Sequence, residues 1–186
     1  MKQFIEFYRN PWIWGTHLIG ALVAWFAPLD VLDQSAALRS FTDLMGGIFP
    51  TVVGYKKSSK FPQVSALYFS LMFVLGPIWF WKTFSISRHT VRQPSGKIWS
   101  LPRPLRVPLV ILLGGALFIG LPAFQLFFNP GYDLHVMPIS SSRLSLGIWG
   151  PLHTTVPWMM FAEFFLVAKL AFKNSHPIGR QDVVKW

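Results

Sequence analysis

KTFSISRHTVRQPSGKIWSLPRPLR, residues 82–106, carries six Lys or Arg and no Asp or Glu, and it lies between two long apolar runs. A basic connection between apolar segments is the pattern that the positive-inside rule assigns to cytoplasmic loops, so this stretch sets both the class of the protein and its orientation. It predicts an all-α integral membrane protein with a basic cytoplasmic loop at 82–106.

The neighbouring runs have the required length. A transmembrane helix needs about 20 mostly apolar residues to cross a hydrocarbon core of roughly 30 Å. Working outward, 64–81 and 107–128 flank the loop, 148–172 follows, and 11–28 precedes. Four such helices and their connections use nearly all of the 186 residues. The chain therefore reads as a single membrane domain, 1–186, with both termini cytoplasmic and about four crossings of a bacterial inner (plasma) membrane. Lys2 and Arg9 before the first run, with Pro28 where cleavage of a signal peptide would fall, predict an uncleaved signal-anchor helix.

Composition agrees, with 52% hydrophobic and 13% charged residues. A net charge of +10 would suit nucleic acid, but most Lys and Arg fall in segments placed inside, where topology and anionic lipid account for them. Nucleic-acid binding also requires a basic face on a folded reader module, which is not evident, so it is not expected. The loop cations Arg88, Arg92, Lys97, Arg103 and Arg106 are predicted to meet anionic lipid headgroups. The lack of cysteine rules out disulfides, thiolate metal sites and cysteine nucleophiles.

Residues 35–55 are the ambiguous part. Ser35 is a suitable N-cap, and Leu38, Phe41, Leu44 and Met45 recur at helical spacing opposite Arg39, Ser40 and Asp43, the pattern of a helix lying on a membrane surface. GGIFPTVVGY (46–55) is apolar but too short and too broken by Gly and Pro to span. It is either a re-entrant dip or a packed external loop, and the packed loop is favoured here. Lys56, Lys57 and Lys60 then lie outside, against the positive-inside rule.

Within the spans, Glu163 stands out, because an intramembrane acid usually pairs, faces a cavity or stays protonated. Counting from the cytoplasmic helix ends, His17 lies about 5 Å from the same depth at roughly 1.5 Å per residue, so a Glu163–His17 polar pair is predicted. Gly115, Ala116 and Gly120 are the candidate helix-packing residues, Ala116 and Gly120 having the four-residue spacing that lets a second helix approach closely.

No cofactor is expected. Haem in a bundle takes facing histidines at matched depth, and His17 and His153 fall in opposite halves. His135 and His153 together offer at most a two-histidine metal site near the outer surface. No GxSxG, HExxH, Walker or GxGxxG pattern occurs in a fitting context. The chain is therefore expected to act without catalysis, through contact with an integral membrane partner or a second copy of itself. In size and topology it resembles the small four-helix immunity proteins that shield bacterial inner membranes from pore-forming toxins, a resemblance of architecture that covers no motif. It implies an immunity or exclusion factor; an accessory subunit of a membrane complex has the same requirements. The alternatives are a redox or transport component using Glu163 and histidines, and a lipid-acting membrane enzyme.

Overall fold

The computed structural model describes residues 8–90, 98–133 and 138–173, and among these it is helical with no strand. Helix α1 spans Pro11–Phe26, α2 Val31–Gln34, α3 Ala36–Ile48 and α4 Pro50–Ser58. Three long helices follow: α5 (Pro62–Thr90, of which Pro62–Arg88 is the candidate span), α6 (Arg103–Phe128) and α7 (Arg143–Phe172). These three are long and apolar enough to cross a membrane, with spans of 27, 26 and 30 residues. α1 has 16 residues, about 24 Å at roughly 1.5 Å per residue, and falls short of that mark. Asn10 caps it by accepting from Trp12 N at 3.0 Å, and Pro28 prevents its continuation past Ala27, since a residue before proline is forced out of the helical region.

The basic stretch 82–106 is less of a loop than its composition predicts. α5 continues helically past Trp81 through Thr90, and α6 begins at Arg103 rather than at 107. α5 is itself two segments, Pro62–Val74 and Gly76–Thr90, joined at Leu75. Pro77 lacks an N–H and sits in the first turn of the second segment, where no partner is needed. Gly76 is there because the Trp158 indole occupies the space a Cβ would need, with Cζ2 2.5 Å away.

α6 contains two π-helical turns, Ala116–Gly120 and Phe124–Phe128. The first precedes Pro122, whose ring would collide with the carbonyl four residues back in a regular helix; the wider turn relieves that clash. α7 is one helix through Pro151 and Pro157.

Arginines at helix starts tie the bundle together. Arg143, opening α7, donates from Nε to Ala24 O and from Nη2 to Ala27 O, both at 2.6 Å, at the end of α1. Arg106, near the start of α6, donates to Ala171 O and Lys173 O at the end of α7. Each guanidinium satisfies orphan carbonyls and places positive charge at the negative end of a helix dipole. α1 and α7 are thereby held antiparallel, as are α7 and α6.

Two ends of the bundle follow. One end gathers Arg9, Lys82, Arg88, Arg103, Lys169 and Lys173, while Asp30, Asp33, Asp43 and Asp133 all belong to the other. At this second end α3 and α4 form a helical hairpin. Ser35 caps α3 as predicted, accepting from Leu38 N at 3.3 Å. The turn at Phe49–Pro50 reaches well down the bundle. The Phe49 ring lies 5.1 Å from Phe73 and 6.4 Å from Trp158, centroid to centroid. Phe73 is eleven residues into α5 and Trp158 fifteen into α7, about 16 and 22 Å from their starts. Residues 46–55 are helical rather than an irregular loop: they form the tip and one arm of a hairpin whose Phe49 ring packs against the long helices.

Candidate functional site

The hairpin is held by a buried polar cluster. Tyr55, on α4, is fully buried and stacks on Phe69 of α5 at 4.1 Å. Its hydroxyl lies 2.8 Å from His153 Nε2 on α7 and 3.1 Å from Tyr132 O. The Gln125 amide nitrogen contacts the same imidazole nitrogen. Asn129 donates from Nδ2 to Gln125 Oε1 at 2.9 Å and to Tyr55 Oη at 3.3 Å, and its Oδ1 accepts from Gly131 N and Tyr132 N. Thr51, one turn before Tyr55, donates to Gln125 O at 2.8 Å.

The second π turn makes this arrangement. Asn129 N bonds Phe124 O at 2.8 Å, five residues back, so Gln125 and Asn129 line up over the hairpin. The chain then reverses at Gly131 with φ +95°, a conformation that glycine adopts without a Cβ penalty. Its Cβ position would lie 2.6 Å from Gly54 O, and one on Gly54 would lie 2.6 Å from Pro130 C. Two glycines thus let the α6–α7 connection lie directly against α4.

Chemically the cluster is a network of neutral donors and acceptors. The nearby carboxylate is half engaged: Asp133 Oδ2 accepts from Ser140 N at 2.8 Å and Ser140 Oγ at 2.6 Å, while its buried Oδ1 has no hydrogen-bond partner among the described residues. Burial pushes the Tyr55 phenol well above its ordinary value of 10, so it stays a neutral donor. No group of three or more metal-ligating side chains occurs among the described residues. Buried amides and a phenol that satisfy one another specify one arrangement of the elements carrying them. The cluster locks α4, the end of α6 and α7 into register.

The predicted Glu163–His17 pair is not formed. Glu163 Oε1 accepts from Ser87 Oγ at 2.5 Å, because α5 extends far enough to bring Ser87 alongside α7. His17 points elsewhere, between Tyr8 and Trp79 with both ring centroids 5.8 Å away, and neither nitrogen has a hydrogen-bond partner among the described residues. Beside it, Trp79 Nε1 donates to Thr16 Oγ1 at 2.9 Å. Matched depth was right for contact between α1 and α7 in general but gave no information on azimuth.

Arg106 departs furthest from its predicted role at lipid headgroups. It is 1% exposed and spends its donors on main-chain carbonyls. Arg103 is exposed, as is Arg88; Arg92, Lys97 and His135 lie outside the described residues. Of the small residues on α6, Gly114 and Gly115 face the Phe164 ring, which a Cβ added at each would meet at 3.6 and 3.9 Å, whereas Ala116 and Gly120 are exposed.

Sequence reasoning singled out His153 but missed Tyr55, Gln125 and Asn129. The available signal was a polar pair at spacing four, Gln125 and Asn129, at the end of an otherwise apolar run. Comparison with protein-family models, curated proteins and solved structures returns no match for this chain.

Proposed function

We propose that the chain is a four-crossing protein of a bacterial inner membrane, with both termini cytoplasmic, that acts without catalysis by lateral contact with another integral membrane protein. The observation that carries the contact reading is the uneven burial of the long helices. Within its most apolar window α5 is 61% buried, whereas α6 is 11% buried. Its outward surface includes Leu112, Leu117, Leu121 and Phe124, with Ala116 and Gly120 among them. Lipid alone gives no reason for small residues on an outward face; a second helix does, since they let backbones approach. An immunity or exclusion factor, or an accessory subunit, would use such a face.

Two features support the topology. Of the twelve described Lys and Arg, seven lie at the end formed by Arg88, Arg103 and Lys173 and five (Arg39, Lys56, Lys57, Lys60 and Arg143) at the other, a modest bias in the direction the positive-inside rule assigns to a cytoplasmic face. α1, with Trp12 and Trp14 at one end and Trp25 at the other, supplies the fourth crossing when its flanks are counted, the tryptophans lying at headgroup level. The hairpin α3–α4 is then re-entrant from the outer side. At its tip the Phe49 ring packs against Phe73, Phe127 and Trp158, which shields the one non-helical residue of the turn, while Gly47, Ile48 and Pro50 stay exposed.

The test is in-membrane photocrosslinking in the native host from positions 116 and 120, with mass spectrometry of the adducts. One dominant membrane-protein adduct, lost in Gly120→Leu while thermal stability is kept, is the expected result. Adducts to lipid alone from both positions would refute the contact reading.

A further inference from the structure

Lys56, Lys57 and Lys60 sit at the aspartate-bearing end of the bundle, where the positive-inside rule disfavours them. The hairpin shows what Lys56 faces. A cavity of about 390 Å³ opens between its arms, lined by Thr42, Asp43, Gly46 and Gly47 of α3 and by Val52, Val53 and Lys56 of α4.

The lining is graded along the hairpin. Asp43 lies six residues before Phe49 and Lys56 six residues after Pro50, so the two charges stand level, about 9 Å above the tip at roughly 1.5 Å per residue. They form a long ion pair, Lys56 Nζ to Asp43 Oδ1 at 3.9 Å, with both side chains largely exposed and no direct hydrogen bond between them. Thr42, beside them, is 1% exposed and its hydroxyl has no partner among the described residues. Toward the tip the walls become Gly46, Gly47, Val52 and Val53, without polar side chains. Gly47 contributes no side chain to this wall, and a Cβ there would stand in open space with nothing within 4 Å. Exposed Leu44 and Ile48 flank the same region.

A cavity with an exposed, loosely held ion pair at its mouth and an apolar floor below matches an amphiphile with a zwitterionic head. We infer that the α3–α4 hairpin binds one phospholipid with a phosphate–amine headgroup, of the phosphatidylethanolamine class. Its phosphate pairs with Lys56, its ammonium with Asp43, and an acyl chain follows Val53, Leu44 and Ile48 inward. A headgroup with phosphate but no amine would leave Asp43 facing an anion without a cation between them, which is repulsive. The inference rests on the membrane placement proposed above, but not on the contact face of α6.

The experiment uses the full chain purified in mild detergent and exchanged against phosphatidylethanolamine or phosphatidylglycerol of matched acyl chains. Retained lipid per chain is counted by native mass spectrometry. One retained phosphatidylethanolamine, favoured about fivefold or more over phosphatidylglycerol, is expected. Lys56→Gln and Asp43→Asn should lower retention about tenfold, as should Gly47→Leu, which fills the cavity from an open position; all three should keep wild-type thermal stability measured without lipid. Equal retention of the two lipids, or wild-type retention in Gly47→Leu and Lys56→Gln, overturns the assignment. Binding of soluble phosphoethanolamine without lipid retention would identify a free phosphate–amine ligand and overturn the lipid. Since the assay uses the isolated chain and a surface other than Ala116 and Gly120, its failure is distinct from failure of the contact reading.

Discussion

Arg106→Ala offers the sharpest check on the packing described above. Its side chain is 1% exposed and donates to Ala171 O from Nε at 3.2 Å and Nη2 at 3.1 Å, to Lys173 O at 2.8 Å, and to Trp99 O at 3.3 Å. Treating the longest contact as negligible leaves two carbonyls served by a charged donor. At about 1.5–3 kcal/mol for each such bond, their loss gives roughly 3–6 kcal/mol. Arg106→Lys keeps the charge at the end of the α7 dipole but cannot reach two carbonyls as a fork, so about half of that loss is expected. With about 2–4 °C per kcal/mol for a chain of this size, the alanine variant should melt about 6–24 °C below wild type. Exposed Arg103, three residues away at the same end, is the control, because removing it takes the same charge from a position where substitutions cost about 0.5 kcal/mol or less. The assay is thermal unfolding in detergent, followed by tryptophan emission. If Arg106→Ala and Arg103→Ala melt together, Arg106 is not the clamp between α6 and α7.

Other outcomes follow from the buried cluster and the glycines. Tyr55→Phe removes a hydroxyl shared by His153, Tyr132 and Asn129 and should destabilise by about 1–3 kcal/mol at neutral pH. The folded chain keeps the Tyr55 proton at a pH where the unfolded chain, with a phenol near 10, has lost it. This contribution is therefore complete below about pH 10 and is lost as pH rises further; stability measured from pH 9 to 12 should fall less steeply in Tyr55→Phe than in wild type. Gly131→Ala combines a left-handed φ with a collision against Gly54 and should cost more than about 2 kcal/mol, whereas Gly15→Ala, in open space within α1, should stabilise by about 0.5–1 kcal/mol; chemical unfolding of the two variants compares them directly. Glu163→Gln keeps an oxygen for Ser87 Oγ and should stay within about 1 kcal/mol of wild type, while Glu163→Leu removes the acceptor and should lose about 1–3 kcal/mol. A glutamine variant as damaged as the leucine variant would show that more than the Ser87 bond depends on the carboxyl group.

The membrane-length helices, the capped amphipathic helix at Ser35 and the charge asymmetry between the ends were legible because each is local or additive along the chain. Hydropathy over twenty residues needs no knowledge of neighbours, and an N-cap is read from a side chain two or three residues from the amides it serves. Rotation about a helix axis is different. His17 and Glu163 agree in depth, yet one faces Trp79 and the other Ser87, because small residues such as Gly20 and Gly76 decide which faces close together. Arg106 carries the same composition signal as Arg103, but only the meeting of α6 with the end of α7 turns one inward and leaves the other in the open. The fate of 46–55 was undecided in the sequence for the same reason: a short apolar stretch broken by Gly and Pro is as good a surface loop as a hairpin tip until Phe73, Phe127 and Trp158 are placed against Phe49. Hydropathy and charge along this chain determined that long apolar helices form and which of their ends differ in charge. Tertiary packing alone decided azimuth, the packing of the hairpin tip, the Tyr55–His153 lock and the cavity beside Asp43 and Lys56, since each depends on contacts between residues far apart in sequence.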